Sequence, residues 1–381
     1  MPRSIQVATI QMDNISQSVD ERLQSAASLI ADAKAGGATL IVLPALFNTG
    51  KTFLETNYEH TERLSDSTMQ WMCQQAQQHQ VHLVGSWMVV DKDDTYHTAF
   101  LIAPDGTQWR YDQQHPQLWE RVFYRDGSSI TVADTTLGKI GFLIGWDIAH
   151  PDIWERYAAK VDLLLVLHSE LDYKQAQLQY ADGVTIQAQD LGYLAKWLIK
   201  ATANYLEQDI VAQGQWLRVP IISAGLSGNM RSILPAPFFS VQGLLLGKPE
   251  LWERADAQYA DMTLTAPFYQ HTQIHDANGK LLSSTGVIGD AIVTAEITLA
   301  DKIPLPVDKP QPTMHSSDAA RFMIDVISGG LMTLTYRRGV RRQWGARMAP
   351  KDHSTHIWVR VVMIVAVIAA VLGRLLLPSR R

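Results

Sequence analysis

An α/β fold follows from three observations on this sequence. Short apolar, β-branched runs alternate with amphipathic helical stretches over about 300 residues. The run Lys139–Ile144 reads as a strand, stops abruptly at Gly145-Trp146-Asp147, and gives way to a helical pattern over Asp152–Lys160. Turn signals such as Pro104-Asp105-Gly106 and Ala277-Asn278-Gly279 separate neighbouring strands. The strand–elbow–helix at Lys139–Pro151 organises the rest, because such elbows are where α/β hydrolytic enzymes present a nucleophile. Here the elbow residue is Gly145, which has no side chain.

Taken in order, Ser4–Met12 alternates as a strand. Ser18-Val19-Asp20-Glu21 fits a capping box, and Val19, Leu23, Ala27, Ile30 and Ala33 form a helical stripe closed by Gly36-Gly37. Thr39–Leu43 is a short buried strand ending at Pro44. A helix is expected over Ser67–His79, with Met69, Met72 and Cys73 on its apolar side. Strands are expected at Val81–Met88, Thr95–Ile102, Ile130–Ala133, Ile140–Ile144 and Leu163–Leu167. Gln187–Asn204 reads as helix and Val219–Ala224 as strand, and Thr272–Asp276 and Ala291–Ile297 close the series. Gly228–Pro267, rich in Pro, Leu and aromatics, has no clear period and reads as a long excursion from the core.

Composition excludes several classes. A net charge of −5 gives no basic field for nucleic acid. The single cysteine, Cys73, rules out an internal disulfide and a cysteine metal cluster; its helical context makes it a buried side chain rather than a nucleophile. The twelve histidines are scattered, without H-E-x-x-H or a tight His/Asp cluster, so neither a metal nor a cofactor is expected. The first residues carry no long apolar region or small-residue cleavage site, so no secretory signal is expected.

The expected organisation changes after residue 302. Domain 1–302 is followed by a stretch, 303–356, holding a proline-rich linker (Ile303–Pro312), an apolar amphipathic segment (Asp318–Leu334) and a basic run (Arg337, Arg338, Arg341, Arg342, Arg347, Lys351). Ile357–Leu377 is a 21-residue apolar run broken only by Arg360 and Arg374. At 1.5 Å per residue it is long enough to span a hydrocarbon layer of roughly 30 Å. A C-terminal transmembrane helix over 357–378 is therefore expected. The basic flank keeps the body on the cytoplasmic side and offers charge to anionic lipid. Small residues Ala366, Ala370, Ala369 and Gly373 stand at spacings that allow close helix packing in the bilayer.

Three blocks carry a family resemblance. VLPALFNTG (Val42–Gly50), RYDQQHPQLWERVFYRDG (Arg110–Gly127) and GKIGFLIGWDIAHP (Gly138–Pro151) occur in this order. Together they resemble the nitrilase, or carbon–nitrogen hydrolase, superfamily over about Ile5–Leu299. The resemblance implies an α-β-β-α sandwich that dimerises through helices. It also implies a chemistry in which a glutamate deprotonates a cysteine, the thiolate attacks an amide or nitrile carbon, and a lysine steadies the anion. Matched block to block, these positions are Ala45 (glutamate), Gln113 (lysine) and Gly145 (cysteine). Retained around them are Glu120, which matches a second family glutamate, and the pocket residues Trp146 and Asp147.

With all three groups replaced, the sequence points to a pseudoenzyme. In a serine protease, loss of the nucleophile alone costs about a millionfold. The favoured expectation is a catalytically inactive, membrane-tethered structural or accessory subunit, with membrane-protein partners, the lipid bilayer and a homodimer as its contacts. Two alternatives remain. One is a relocated catalytic site acting on amide or nitrile C–N bonds, drawn from Asp147, His150, His168, Ser169 and Glu170, in which a Ser-His-Asp set is arithmetically available. The other is a small-ligand sensor, whose pocket the loss of Glu, Lys and Cys leaves more neutral and roomier. The aromatics Trp109, Trp119, Phe123, Tyr124, Trp146 and Trp154 near the blocks are equally accounted for by core packing.

Overall fold

The computed structural model describes residues 3–344, apart from 93, 204, 249, 252–259 and 311–320. Its strands in chain order are β1 (Arg3–Asp13), β2 (Leu40–Ala45), β3 (Glu62–Arg63), β4 (His82–Asp91), β5 (Asp94–Ile102), β6 (Gln108–Asp112), β7 (Ala133–Thr135), β8 (Gly138–Ile144) and β9 (Leu163–His168). They continue with β10 (Gln177–Gln179), β11 (Thr185–Gln187), β12 (Ile221–Ser227), β13 (Asn229–Ile233), β14 (Thr263–Pro267), β15 (Gln273–His275), β16 (Leu281–Ser284) and β17 (Ala291–Leu299). The helices are α1 (Val19–Ala35), α2 (Ser67–His79), α3 (Pro151–Tyr157), α4 (Tyr193–Thr202), α5 (Tyr205–Leu217), α6 (Pro237–Leu244) and α7 (Ser328–Trp344).

Hydrogen bonding follows the path β6-β5-β4-β2-β1-β12-β9-β8-β7. β1 and β12 meet only through Met12 with Leu226 and Asp13 with Ser227, so the path divides there into two halves. β17 completes the first half along β1, and β15 and β16 extend the second from β12. Strand parity explains how the halves pack. Leu40 and Val42 of β2, Ile140, Phe142 and Ile144 of β8, and Leu163, Leu165 and Leu167 of β9 share one core. Their neighbours Ile41, Leu43, Leu143, Leu164 and Val166 join a second core with α1, α2, α3 and α5. Successive side chains point to opposite faces, so strands buried on both sides read as unbroken apolar runs.

Local chemistry sets the element ends. Ser18 Oγ accepts from the Glu21 amide at 3.3 Å, and Glu21 Oε2 accepts from the Ser18 amide at 2.8 Å, closing the expected capping box on α1. α2 runs over the expected residues, although Cys73 is only half-buried and accepts from Gln108 Nε2 at 3.3 Å. Two expectations are corrected. Ile130–Ala133 is not a strand; pairing begins only at Ala133, opposite Ile140. The helix expected over Gln187–Asn204 is confined to α4, because Thr185–Gln187 pair with β10 and Gly192 caps the helix start. The excursion Gly228–Pro267 carries β13, α6 and β14, with β10 and β11 completing a small four-stranded sheet.

The segment after the prolines packs on the body. A π-helical stretch, Phe322–Ile327, leads into α7, and Ile324, Met332, Tyr336 and Val340 are buried in the main core. Tyr336 donates to Asp94 Oδ1 at 2.8 Å and accepts from the Thr95 amide at 3.0 Å, while Arg125 lies 3.6 Å over its ring. The expected transmembrane helix over 357–378 lies outside the described residues; among those described, no helix is long and apolar enough to cross a membrane.

Candidate functional site at the elbow

β2, β8 and β9 run parallel, and their carboxyl ends deliver Ala45, Gly145 and the run His168-Ser169-Glu170 to one edge. That edge is where open α/β sheets place their sites. β8 ends because Gly145 enters the left-handed region at φ +51°, and a 3₁₀ turn follows over Gly145–Ala149. Asp147 ties this turn to the segment after β6. Its Oδ2 accepts from Tyr111 Oη at 2.7 Å, and Oδ1 accepts from the amides of Gln114 and His115 at 3.0 and 2.8 Å. Burial pushes the Asp147 carboxyl up to about 6 despite these donors.

The three positions that the resemblance assigns to the family's chemistry are not left as a void. Ala45 is buried at the end of β2 and brings no polar group. Gln113 is held by His97, whose Nδ1 lies 3.0 Å from Gln113 Oε1 and whose Nε2 lies 3.0 Å from Ser86 Oγ. Burial pulls His97 down to about 4, so the ring is neutral. With Oε1 engaged, the Gln113 amide nitrogen turns towards the elbow. A Cβ added to Gly145 would stand 3.2 Å from that nitrogen and 2.6 Å from Glu170 Oε1. The Glu170 carboxylate thus reaches the place where the family resemblance puts the nucleophile.

A cation has also arrived from another segment. Lys51 follows the block ending at Gly50 and is almost fully buried, and its Nζ lies 2.6 Å from Glu120 Oε1. Burial pulls Lys51 down, but the charges of Glu120 and Glu170 outweigh it and hold the ammonium above its ordinary value. Burial likewise pushes Glu120 up, and Lys51 overrides it to keep the carboxyl below the usual range. Glu120 Oε2 also accepts from the Gln117 amide at 2.9 Å. Glu170 differs: burial pushes it up to about 7, with Lys51 opposing and Glu120 reinforcing. Its Oε1 has no well-formed hydrogen bond among the described residues, while the Tyr205 hydroxyl favours its ionised form.

The expectation of a more neutral pocket is therefore corrected, since one lysine and two glutamates are buried together. The Ser-His-Asp set is not assembled. His150 uses Nδ1 on the Trp146 carbonyl at 3.0 Å and Nε2 on Asp325 Oδ2 at 2.8 Å, and Asp147 is occupied as described. His168 turns to the His271 carbonyl at 3.3 Å and packs under Gly225. Of the five relocated candidates, Glu170 interacts electrostatically with both Lys51 and Glu120, and His168 with Lys51. Trp146 is buried against Tyr205 and donates to Asp325 Oδ1 at 3.1 Å. Trp119, Phe123, Tyr124 and Trp154 lie in the main core, and Trp109 packs on the inter-sheet one.

Folding does create a tight His/Asp cluster, which the scattered sequence positions did not reveal. Ligand atoms of His115, His150 and Asp325 lie within 4.8 Å of one another. Yet the two imidazoles stack 3.6 Å apart with planes 4° from parallel. Stacked rings aim their in-plane lone pairs side by side, whereas a shared metal needs them to converge. Arg121 also stands 3.6 Å from Asp325 Oδ1. The geometry suits a hydrogen-bonded cluster better than a metal centre.

A fold of this topology, with this elbow, defines an α/β protein of the nitrilase type. The carbon-nitrogen hydrolase family model matches residues 6–306, and the chain belongs to that family. It is 29% identical over 160 residues to a protein named nitrilase from Pyrococcus abyssi, covering 41% of this chain and 61% of the relative. It is 29% identical over 159 residues to the omega-amidase NIT2-A of Xenopus laevis, covering 38% and 56%. The matches thus span a little over half the length of these relatives. Among solved structures, Nit3 of Saccharomyces cerevisiae aligns with a TM-score of 0.55 at 19% identity, over 77% of this chain and 90% of that one. An amidase from Nesterenkonia sp. AN1 aligns at 0.54 and 15% identity, over 82% and 96%. These likenesses support the fold. The expectation of a structural accessory subunit is corrected by the relatives, which are named for hydrolysis as omega-amidases and a nitrilase.

Proposed function

We propose that this chain hydrolyses the C–N bond of small amides or nitriles through a site relocated around the elbow. The observation that carries this reading is the buried ion pair of Lys51 Nζ with Glu120 Oε1 at 2.6 Å, which reaches the elbow through Gln113 Nε2, 3.4 Å from Glu120 Oε2. Taking two charges out of water costs several kcal/mol per ion. A pocket kept only for its shape would have no need of that cost once its neighbours had become Ala45 and Gly145. A fixed ammonium in a water-poor site suits a developing oxyanion, so Lys51 supplies the charge that Gln113 lacks. The names of the relatives point the same way.

The test is ammonia release by the purified full chain from a panel of small amides and nitriles. Turnover that Lys51→Met abolishes is the expected result. A folded chain that turns over no member of the panel overturns the reading, and retained amide binding would then identify an inactive pocket. Membrane tethering through 357–378 is a separate proposal, supported by the apolar run in the sequence. Recovery of the full chain in the soluble fraction would overturn it.

A further inference from the structure

We propose that Glu170 is the general base of this site and that its nucleophile is a water molecule, attacking the substrate carbonyl directly without a covalent enzyme intermediate. This rests on the hydrolase reading above and names how the same site works.

Three observations carry it. Gly145 offers no nucleophilic atom, and Glu170 Oε1 lies 2.6 Å from where the Cβ of a side chain there would begin. Glu170 is 2% exposed, the Tyr205 hydroxyl interacts with its carboxyl, and its Oε1, 2.6 Å from the place of a Gly145 Cβ, is the buried oxygen that faces the reaction locus. Its surroundings are sorted by charge: Lys51 makes its direct ion pair with Glu120 at 2.6 Å and acts on Glu170 only as a nearby charge. Asp147, the next acid, is saturated by the Tyr111 hydroxyl and two amides.

The step balances. Glu170 takes a proton from water as the water oxygen bonds to the amide carbonyl carbon. The carbonyl π electrons move onto oxygen, where Lys51 and the Gln113 amide nitrogen face the negative charge. Collapse of that intermediate breaks the C–N bond, and the proton held by Glu170 passes to the departing nitrogen. The products are a carboxylic acid and an amine or ammonia. The groups facing Glu170 are Lys51, Glu120, Asp147 and Tyr205, and burial among them holds Glu170 near neutrality, where a general base is most effective.

The experiment measures kcat and KM of the full chain on its best amide, from mildly acidic to mildly alkaline pH, with Glu170→Gln and Glu170→Asp alongside. Expected is a loss in kcat on the order of 10²–10⁴-fold in Glu170→Gln, with little change in KM. The wild-type rate should rise through a single limb near neutrality, and the residual rate of Glu170→Gln should lack that limb. Glu170→Asp keeps the limb at reduced rate and controls for folding. Wild-type turnover that persists in Glu170→Gln overturns the base assignment while leaving the hydrolase reading intact. An acyl adduct on the chain after rapid quench overturns direct water attack. Absence of wild-type turnover overturns the hydrolase reading and this inference with it.

Discussion

Asp325 Oδ2 and His150 Nε2 meet at 2.8 Å although the residues stand 175 positions apart. The other Asp325 oxygen accepts from Trp146 Nε1 at 3.1 Å. The C-terminal stretch Phe322–Ile327 is thereby fastened to the elbow that carries Gly145. Burial raises Asp325, but the His150 hydrogen bond and charge, with Arg121 and His115, outweigh it and lower the carboxyl below its ordinary value. A depressed folded value contributes stability above the ordinary carboxylate range and loses it as pH falls through the folded value. Asp325→Ala should therefore destabilise by about 1–3 kcal/mol at neutral pH. Denaturant unfolding should show the difference from wild type shrinking on acidification.

Lys51→Met leaves Glu120 charged, buried and unpaired. That should cost about 3–5 kcal/mol in chemical denaturation. The double variant Lys51→Met/Glu120→Gln removes both charges and should recover much of the loss. Equal instability of single and double variants would show that packing, not charge, dominates there.

Placing a cysteine at the elbow should not create the thiolate chemistry that the family resemblance implies. In Gly145→Cys the new Cβ meets Glu170 Oε1 at 2.6 Å, on a backbone at φ +51°. The left-handed conformation alone costs about 1–2 kcal/mol for an L side chain, and the new side chain collides with Glu170, the proposed base, and pushes it out of place. The variant should unfold at lower denaturant and show no gain in amide turnover.

α7 approaches the body through Gly339, where a Cβ would stand 2.1 Å from Tyr58 Cζ. Tyr58 cannot swing aside freely, because its hydroxyl donates to the Val122 carbonyl. Gly339→Ala should cost about 1–3 kcal/mol and speed hydrogen exchange in α7 more than in β8 or β9.

Much of the fold was legible because local rules generated it. The Ser18–Glu21 capping box, the span of α2 and the stop at Gly145 follow from residues a few positions apart. Misread stretches were those where pairing overrode propensity, as in Thr185–Gln187, which turn to β10 instead of extending α4. The charged groups around Ala45, Gln113 and Gly145 were not readable, because Lys51 lies 69 positions from Glu120 and Asp325 lies 175 from His150. Only a tertiary structure joins such pairs. One local hint existed: a lysine directly after the Val42–Gly50 block, in a segment whose neighbours are small or apolar.

β1 pairs antiparallel with β17 over nine residues, from Arg3 with Leu299 to Gln11 with Ala291, while also bonding β2 and β12. During synthesis the first strand therefore waits for nearly 300 residues before its last edge is satisfied. Such long-range closure slows folding, and an unpaired central strand is the kind of surface on which nascent chains misassemble. The β8 and β9 pairing across Gly138–His168 is made between neighbours in sequence and does not share that delay, whereas the Asp325 contacts to the elbow come late.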